Sequence, residues 1–318
     1  MSFVNQVAEI THSMVDRYGG SANKNIGDAF LLVWKFYDPK EIEAMDVTGK
    51  FNNEKICLEN QVIADVSVFS FLKIIAKLNK YKHILKYKKN KELQRRCDGK
   101  FAVRMGFGIH QGWAIEGAIG SFFKIDASYL SPNVNMAARL EAATKQFGTL
   151  LLISGHLRDI LSQDFQDICR EIDTVTVKGS IKPMRLFTID IQTEDLESCE
   201  DPLQHKSIRE KKAIRDQMKR DLFKRLYSGS ITTWQEFNND HEFLELRKNV
   251  DPEYEELFAK TYRAYIDGDW KTAGEGAAKL VEQRPEDGPA VNLNKIINTN
   301  HNRKTPETWK GYRELTSK

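Results

Sequence analysis

Asn135 and Arg139 lie four residues apart, a spacing that sets an amide and a guanidinium on one face of a helix. Gly27-Asp28 is a turn-forming pair that would hold a carboxylate at the tip of a tight turn. Between residues 80 and 100 there are nine Lys/Arg against two Asp/Glu, a run that either touches phosphates or forms a solvated loop. Signatures of several other chemistries are absent. The chain has no GxxxxGK[ST] phosphate loop, no HExxH, no GxSxG, and no HRD/DFG set. Gly106, Gly108, Gly112, Gly117 and Gly120 do not form a dinucleotide fingerprint at the start of a helix; they say only that backbones approach closely there. The seven histidines lack ligand spacing, and His110, in a predicted strand, reads as structural. Four scattered cysteines (Cys57, Cys97, Cys169, Cys199) include no CxxC pair. That excludes a zinc ribbon and a dense disulfide scaffold, and fits a reducing compartment.

The elements that must carry these residues follow from periodicity and punctuation. Residues 1–17 read as a helix, with Phe3, Val7, Ile10 and Met14 at spacings of three and four, closed by Tyr18-Gly19-Gly20. Residues 21–26, the Gly27-Asp28 turn and residues 29–36 predict a β-hairpin whose second strand is buried on both faces. Residues 38–60 read as a polar insertion loop and 62–79 as a helix. Strands are expected at 103–110, 113–119, 150–154, 175–178 and 184–190. The strongest helix signal is 131–147, with Ser131 as N-cap, Pro132 at the first position and Gly148 beyond the end. Its stripe of Met136, Leu140, Ala143 and Phe147 should face a core, leaving Asn135 and Arg139 on another face. Strands alternating with helices up to about residue 191 indicate α/β or α+β architecture.

The composition changes near residue 193. An acidic stretch at 193–202 precedes a basic helix at 206–225, with nine Lys/Arg and three Asp/Glu. Residues 254–285 read as a helical hairpin that resembles one tetratricopeptide unit. One such unit cannot bury its own face and must lean on other helices or on the first domain. The expected division is 1–192, a linker with the basic helix at 193–249, and a helical tail at 250–318. The whole chain has 318 residues, 41% hydrophobic and 29% charged, which is ordinary globular composition. Its net charge is 48 − 45 = +3, no signature of nucleic-acid binding. The most apolar long run, 62–78, is broken by Asp65, Lys73 and Lys77, so no membrane span is expected and a cytoplasmic location is.

Three segments in order resemble the class III nucleotide cyclase domain of adenylate and guanylate cyclases. They are Lys24-Asn25-Ile26-Gly27-Asp28-Ala29-Phe30, Gly108-Ile109-His110-Gln111-Gly112, and Val134-Asn135-Met136-Ala137-Ala138-Arg139-Leu140-Glu141; Val177-Lys178-Gly179 resembles a fourth. The wording around RMGFGIHQGWAIEGAIGS and IDASYLSPNVNMAARLEAATKQFG is most similar to cyclases of ciliates and other protists. The resemblance covers residues 1 to about 192. It implies a ferredoxin-like α/β sandwich, followed here by a small all-α region, and an ATP-binding site at a homodimer or heterodimer interface.

In that family the ribose 3′-hydroxyl attacks the α-phosphorus and expels pyrophosphate, assisted by two divalent cations, Mg²⁺ or Mn²⁺. The resemblance places Asp28 as a metal ligand, its plainer reading being a turn former. Lys24 falls where the family selects the base, and Ser128 at the partner position, where aspartate or threonine is common. Lysine there can donate to adenine, and a hydroxyl can donate or accept, so the pair favours ATP over GTP. Asn135 matches the ribose-orienting residue and Arg139 the transition-state residue. Lys178 resembles the group that holds the terminal phosphates.

Two departures stand out. The family's first metal aspartate lies in a strand before the opening helix, and this chain begins inside that helix. The expectation is one carboxylate per site for two cations, the second ligand absent from this chain, and a central sheet one strand short. The family also often carries a phosphate-binding arginine two residues before the GIH motif; here Gly106 stands there, with Arg104 two residues upstream as the alternative. Three readings follow: an adenylate cyclase, a non-catalytic half that complements a partner chain, or an adaptor acting through the helical tail. Any membrane contact would come through an upstream region not seen in this sequence.

Overall fold

The computed structural model describes residues 2–38, 40, 53–96, 103–177 and 182–315. In chain order these form α1 (Ser2–Arg17), β1 (Ser21–Ile26), β2 (Ala29–Val33), α2 (Asn53–Lys80), α3 (Lys82–Leu85), a 3₁₀ turn (Lys86–Lys89) and α4 (Lys91–Arg96). Then come β3 (Phe107–Ile109), β4 (Ile115–Ser121), β5 (Lys124–Leu130), α5 (Pro132–Phe147), β6 (Leu151–Ser154), α6 (Gly155–Arg158), α7 (Gln163–Asp167), β7 (Cys169–Val177) and β8 (Met184–Ile189). The rest is helical except at its end: α8 (Ile208–Tyr227), α9 (Thr233–Phe237), α10 (His241–Arg247), α11 (Pro252–Ile266), α12 (Trp270–Gln283), α13 (Gly288–Asn294), a π turn (Lys295–Asn300) and β9 (Arg313–Leu315).

The architecture is the expected mixed α/β fold followed by a helical region. A five-stranded sheet runs in the order β3-β6-β8-β7-β9, with β3–β6 and β7–β9 parallel and the two middle pairs antiparallel. Hairpins β1–β2 and β4–β5 are separate two-stranded sheets. Strand β6 is buried along its whole length, and its alternation divides the interior in two. Leu151 and Ile153 join a core with α1, α2 and the 222–246 helices, whereas Leu152 joins a second core with α5 and the 254–297 helices.

Residues 193–249, read from sequence as a linker with a basic helix, pack across α1 and α2. Phe69 of α2 stacks on Phe237 of α9 at 3.7 Å between ring centroids. Lys73, Lys77 and Lys80, at helical spacing on α2, face carboxylates of the α10 segment. Lys73 reaches Asp240 at 2.7 Å, Lys80 reaches Glu245 at 2.7 Å, and Lys77 reaches Glu242 at 3.5 Å. Buried cations at these positions are tolerable because each is paired.

The helical tail leans on the sheet and on α5. Arg170 of β7 forms two hydrogen bonds to Asp287 (2.8 and 2.9 Å), pairs with Asp190 at 2.7 Å, and lies 4.4 Å from the Phe258 ring centroid. At the chain's end, Arg313 of β9 pairs with the buried Asp173 of β7.

Several elements differ from the sequence reading. Helix α2 starts at Asn53, inside the segment assigned to an insertion loop. Strand β2 is half-buried rather than buried on both faces, because only Phe30 and Leu32 pack against a core. Strands β5 and β9 and helices α9 and α10 have no counterpart in the sequence reading. Among the described residues no helix is long and apolar enough to cross a membrane.

Candidate functional site

Helix α5 is set by its caps. Ser131 Oγ accepts from the Asn133 amide at 3.0 Å and donates to the Trp113 carbonyl at 2.6 Å, while Gly148 takes a left-handed φ of 66° at the C-terminal end. Leu140, Ala143 and Phe147 are buried on the inward face, and Met136 packs beside them. With that face committed, Asn135 and Arg139 are exposed one turn apart.

The glycines before α5 let it lie directly on β3. A Cβ on Gly108 would sit 2.3 Å from the Glu141 nitrogen and 2.4 Å from the Ala137 oxygen, so the two backbones touch. A Cβ on Gly106 would meet Thr144 Oγ1 at 2.3 Å. That contact gives a steric reason why no arginine stands at 106 in this chain. Arg104 is exposed on the coil before β3.

His110 lies just past the end of β3 and is hydrogen-bonded through both ring nitrogens. Its Nε2 lies 3.2 Å from Asn133 Oδ1 and its Nδ1 2.9 Å from Ser154 Oγ. Asn133 donates its amide to the Trp113 carbonyl at 2.9 Å, so its oxygen accepts from His110 Nε2–H and the Ser154 hydroxyl donates to Nδ1. Burial, seconded by the neighbouring His156, holds the imidazole pKa below its ordinary value even though the Asn133 bond opposes this. The neutral ring thus ties β3, β6 and the first turn of α5 together.

The hairpins bring a second group near one another. Lys24 on β1 reaches across to β5, its Nζ 2.9 Å from Asp126 Oδ2, and Asn23 Nδ2 donates to the Ala127 carbonyl at 3.3 Å. Asp126 and Ser128 are two apart on β5 and share a face of the strand. Lys24 and the buried Ser128 are therefore placed on the same side of the β4–β5 hairpin. Asp28 is exposed at the tip of the first hairpin, beside Gly27 with φ 67°. Among the described residues no group of three or more His, Cys, Asp or Glu could hold a metal ion. Lys178 lies outside the described residues.

Two participants were not singled out from sequence: Asp126, which holds Lys24, and Asn133, which holds His110. The β4–β5 hairpin also carries a row of exposed apolar groups. Ile115, Ile119, Ile125 and Leu130 are exposed along it, and Phe122 and Phe123 at its tip are 102% and 98% accessible.

Residues 1–190 match the model of the adenylate and guanylate cyclase catalytic domain. Over 105 residues, 33% of this chain and 21% of the relative, the sequence is 30% identical to an adenylate cyclase of Anabaena cylindrica. It is 29% identical over 96 residues to the terminal-differentiation specific adenylate cyclase of Dictyostelium discoideum, 30% of this chain and 4% of that protein. The chain thus matches about a fifth or less of the length of these curated relatives. Among solved structures, a bacterial light-regulated adenylyl cyclase is similar at 20% identity and a TM-score of 0.40, covering 68% of this chain and 50% of that one. The guanylyl cyclase Cya2 is similar at 18% identity and a TM-score of 0.38, covering 64% and 84%.

Proposed function

This chain belongs to the adenylate and guanylate cyclase catalytic domain family through residues 1–190, and from that premise we propose that it converts ATP to 3′,5′-cyclic AMP and pyrophosphate at a dimer interface. In this reaction the ribose 3′-oxygen bonds to the α-phosphorus, the bond to the bridging α,β-oxygen breaks, and the hydroxyl proton is released.

The observation that carries the choice of ATP is the placement of Lys24 against the Ser128 face of β5. An ammonium there donates to a ring acceptor of adenine, and the Ser128 hydroxyl takes whichever role the base requires. The Lys24–Asp126 pair has side chains 27% and 50% exposed, and such pairs are worth less than about 1 kcal/mol, so the amine is recruited at little cost. Asn135 orients the ribose and Arg139 directs its guanidinium at charge developing on the phosphates. Lys178, with Arg104 as a second candidate, holds the terminal phosphates. The adenylate cyclase names of the relatives support the same substrate. The apolar β4–β5 hairpin supports a dimer, with a second cyclase domain as the surface that covers it.

Asp28 is the metal ligand in this reading, and Mg²⁺ or Mn²⁺ would favour its hard oxygen. One exposed carboxylate does not by itself build a two-ion site. The same observation favours a second reading, a half that complements a partner bringing further carboxylates. An adaptor role for the tail has less support, since Phe258, Tyr265 and Trp270 are buried within this chain.

The test is turnover by the purified chain with ATP or GTP and Mg²⁺ or Mn²⁺. Cyclic AMP made by the chain alone supports catalysis and removes the complementing reading. Activity only after a second cyclase domain is added establishes the complementing half. Failure to bind ATP analogues at millimolar concentration would leave the adaptor. Lys24→Glu should lower the ATP-to-GTP preference, and an unchanged ratio refutes its role.

A further inference from the structure

Helix α1, the start of α3, the 201–203 loop and α8 enclose a crevice of about 180 Å³ that none of Lys24, Asp28, Ser128, Asn135 and Arg139 lines. Four cationic side chains line it, Arg17, Lys77, Lys211 and Arg215, against the two carboxylates of Glu9 and Asp201. The lysines are committed: Lys211 pairs with Glu9 at 2.7 Å, and Lys77 donates to the Tyr81 hydroxyl at 2.7 Å and lies 3.5 Å from Glu242.

The arginines are held more loosely, Arg215 by an ion pair to Asp16 that is longer than a hydrogen bond. Arg17 makes no ion pair among the described residues, its guanidinium lying 5.5 Å from the Tyr18 ring centroid. Arg215 Nε is 4.0 Å from Asp16, too far for a hydrogen bond, and is buried without a hydrogen-bond partner. Two further buried polar atoms of lining residues, Gln6 Oε1 and His83 Nδ1, also have none. The rest of the wall is apolar, with Ile10, Met14, Leu203, Ile214 and Met218 contributing.

A bare inorganic anion would leave that wall uncovered, and a wholly apolar molecule would leave both guanidiniums unanswered. We propose that this crevice binds a small organic anion, whose carboxylate or phosphate head meets Arg17 and Arg215 and whose short apolar body lies against Ile10, Met14 and Leu203. The guanidinium fork suits either head, and the enclosed volume, about six water molecules' worth, limits the body to a short chain.

The test uses the full chain and three probes in titration calorimetry: hexanoate, its neutral counterpart hexanol, and inorganic phosphate. Hexanoate should bind saturably at millimolar concentration or below, more tightly than either comparator. Arg215→Gln should weaken it about tenfold or more while leaving the unliganded unfolding midpoint in place. Hexyl phosphate in place of hexanoate tells which head is preferred. ATP analogues should not compete, since the crevice shares no residue with the nucleotide site. Absence of saturable binding by both hexanoate and hexyl phosphate overturns the proposal. So does binding that Arg215→Gln and Arg17→Gln both leave unchanged, or hexanol binding as tightly as hexanoate.

Discussion

Lys24 Nζ lies 2.9 Å from Asp126 Oδ2, which ties the first hairpin to the second two residues before Ser128. The base-reading lysine of the proposed function is thus paired, until a base competes for it, with a carboxylate 102 residues away in sequence. Because the pair is partly exposed, Asp126→Asn should lower KM for ATP by less than about fivefold and leave kcat unchanged. A tenfold fall in kcat would instead put Asp126 among the groups that touch substrate.

Arg139 stands on the exposed face of α5, so its replacement should separate catalysis from folding. Arg139→Ala is expected to lower kcat by about 10²- to 10³-fold, as loss of a preorganised donor does, with the unfolding midpoint within error of the parent. A fall in kcat that tracked a fall in stability would remove Arg139 from the site.

The contact of β3 with α5 predicts a sharp difference between two glycines. Gly108→Ala forces a Cβ to within 2.4 Å of two α5 backbone atoms and should destabilise by about 1–3 kcal/mol, moving the turn that carries Arg139. Gly117→Ala, with nothing within 4 Å, should leave the stability within about 0.5 kcal/mol. Equal denaturation midpoints for the two variants would refute the close approach.

Asp65 predicts a pH effect. It is fully buried on α2, accepts from the Ser162 amide at 2.9 Å and from the Thr233 hydroxyl, and burial raises its pKa to about 6 against an ordinary 3.8. The folded state therefore binds the proton more tightly than the unfolded chain. The contribution of Asp65 is fully present below about pH 4 and is lost as pH rises toward about 6. Asp65→Asn keeps an acceptor for Ser162 and offers a donor to the Thr233 oxygen. It should gain about 2 to 3 kcal/mol on the parent above about pH 7, and the gain should vanish near about pH 4. Urea unfolding of both proteins across this range measures the difference, and a pH-independent difference would contradict the raised pKa.

Much of the fold was legible because local signals agree with the tertiary answer. Ser131, Pro132 and Gly148 delimit α5 by backbone bonding that needs no distant partner, and its apolar stripe then fixes which face Asn135 and Arg139 present. The Gly27-Asp28 turn likewise fixes the first hairpin. Strand β5 was missed because its hairpin projects: Lys124, Ile125, Asp126 and Ala127 are all exposed, so no core imposes alternation on them. Helices α9 and α10, five and seven residues long, are too short for a helical period to register.

What the sequence alone determined is a set of candidate residues, their order, and the helix and turn that display three of them. Tertiary structure alone decided what those residues touch. Lys24 meets Asp126 across 102 positions, Lys73 meets Asp240 across 167, and Arg170 meets Asp287 across 117. Periodicity and capping act within a few turns of chain, whereas such partners are chosen by the packing of two separate cores on the two faces of one buried strand.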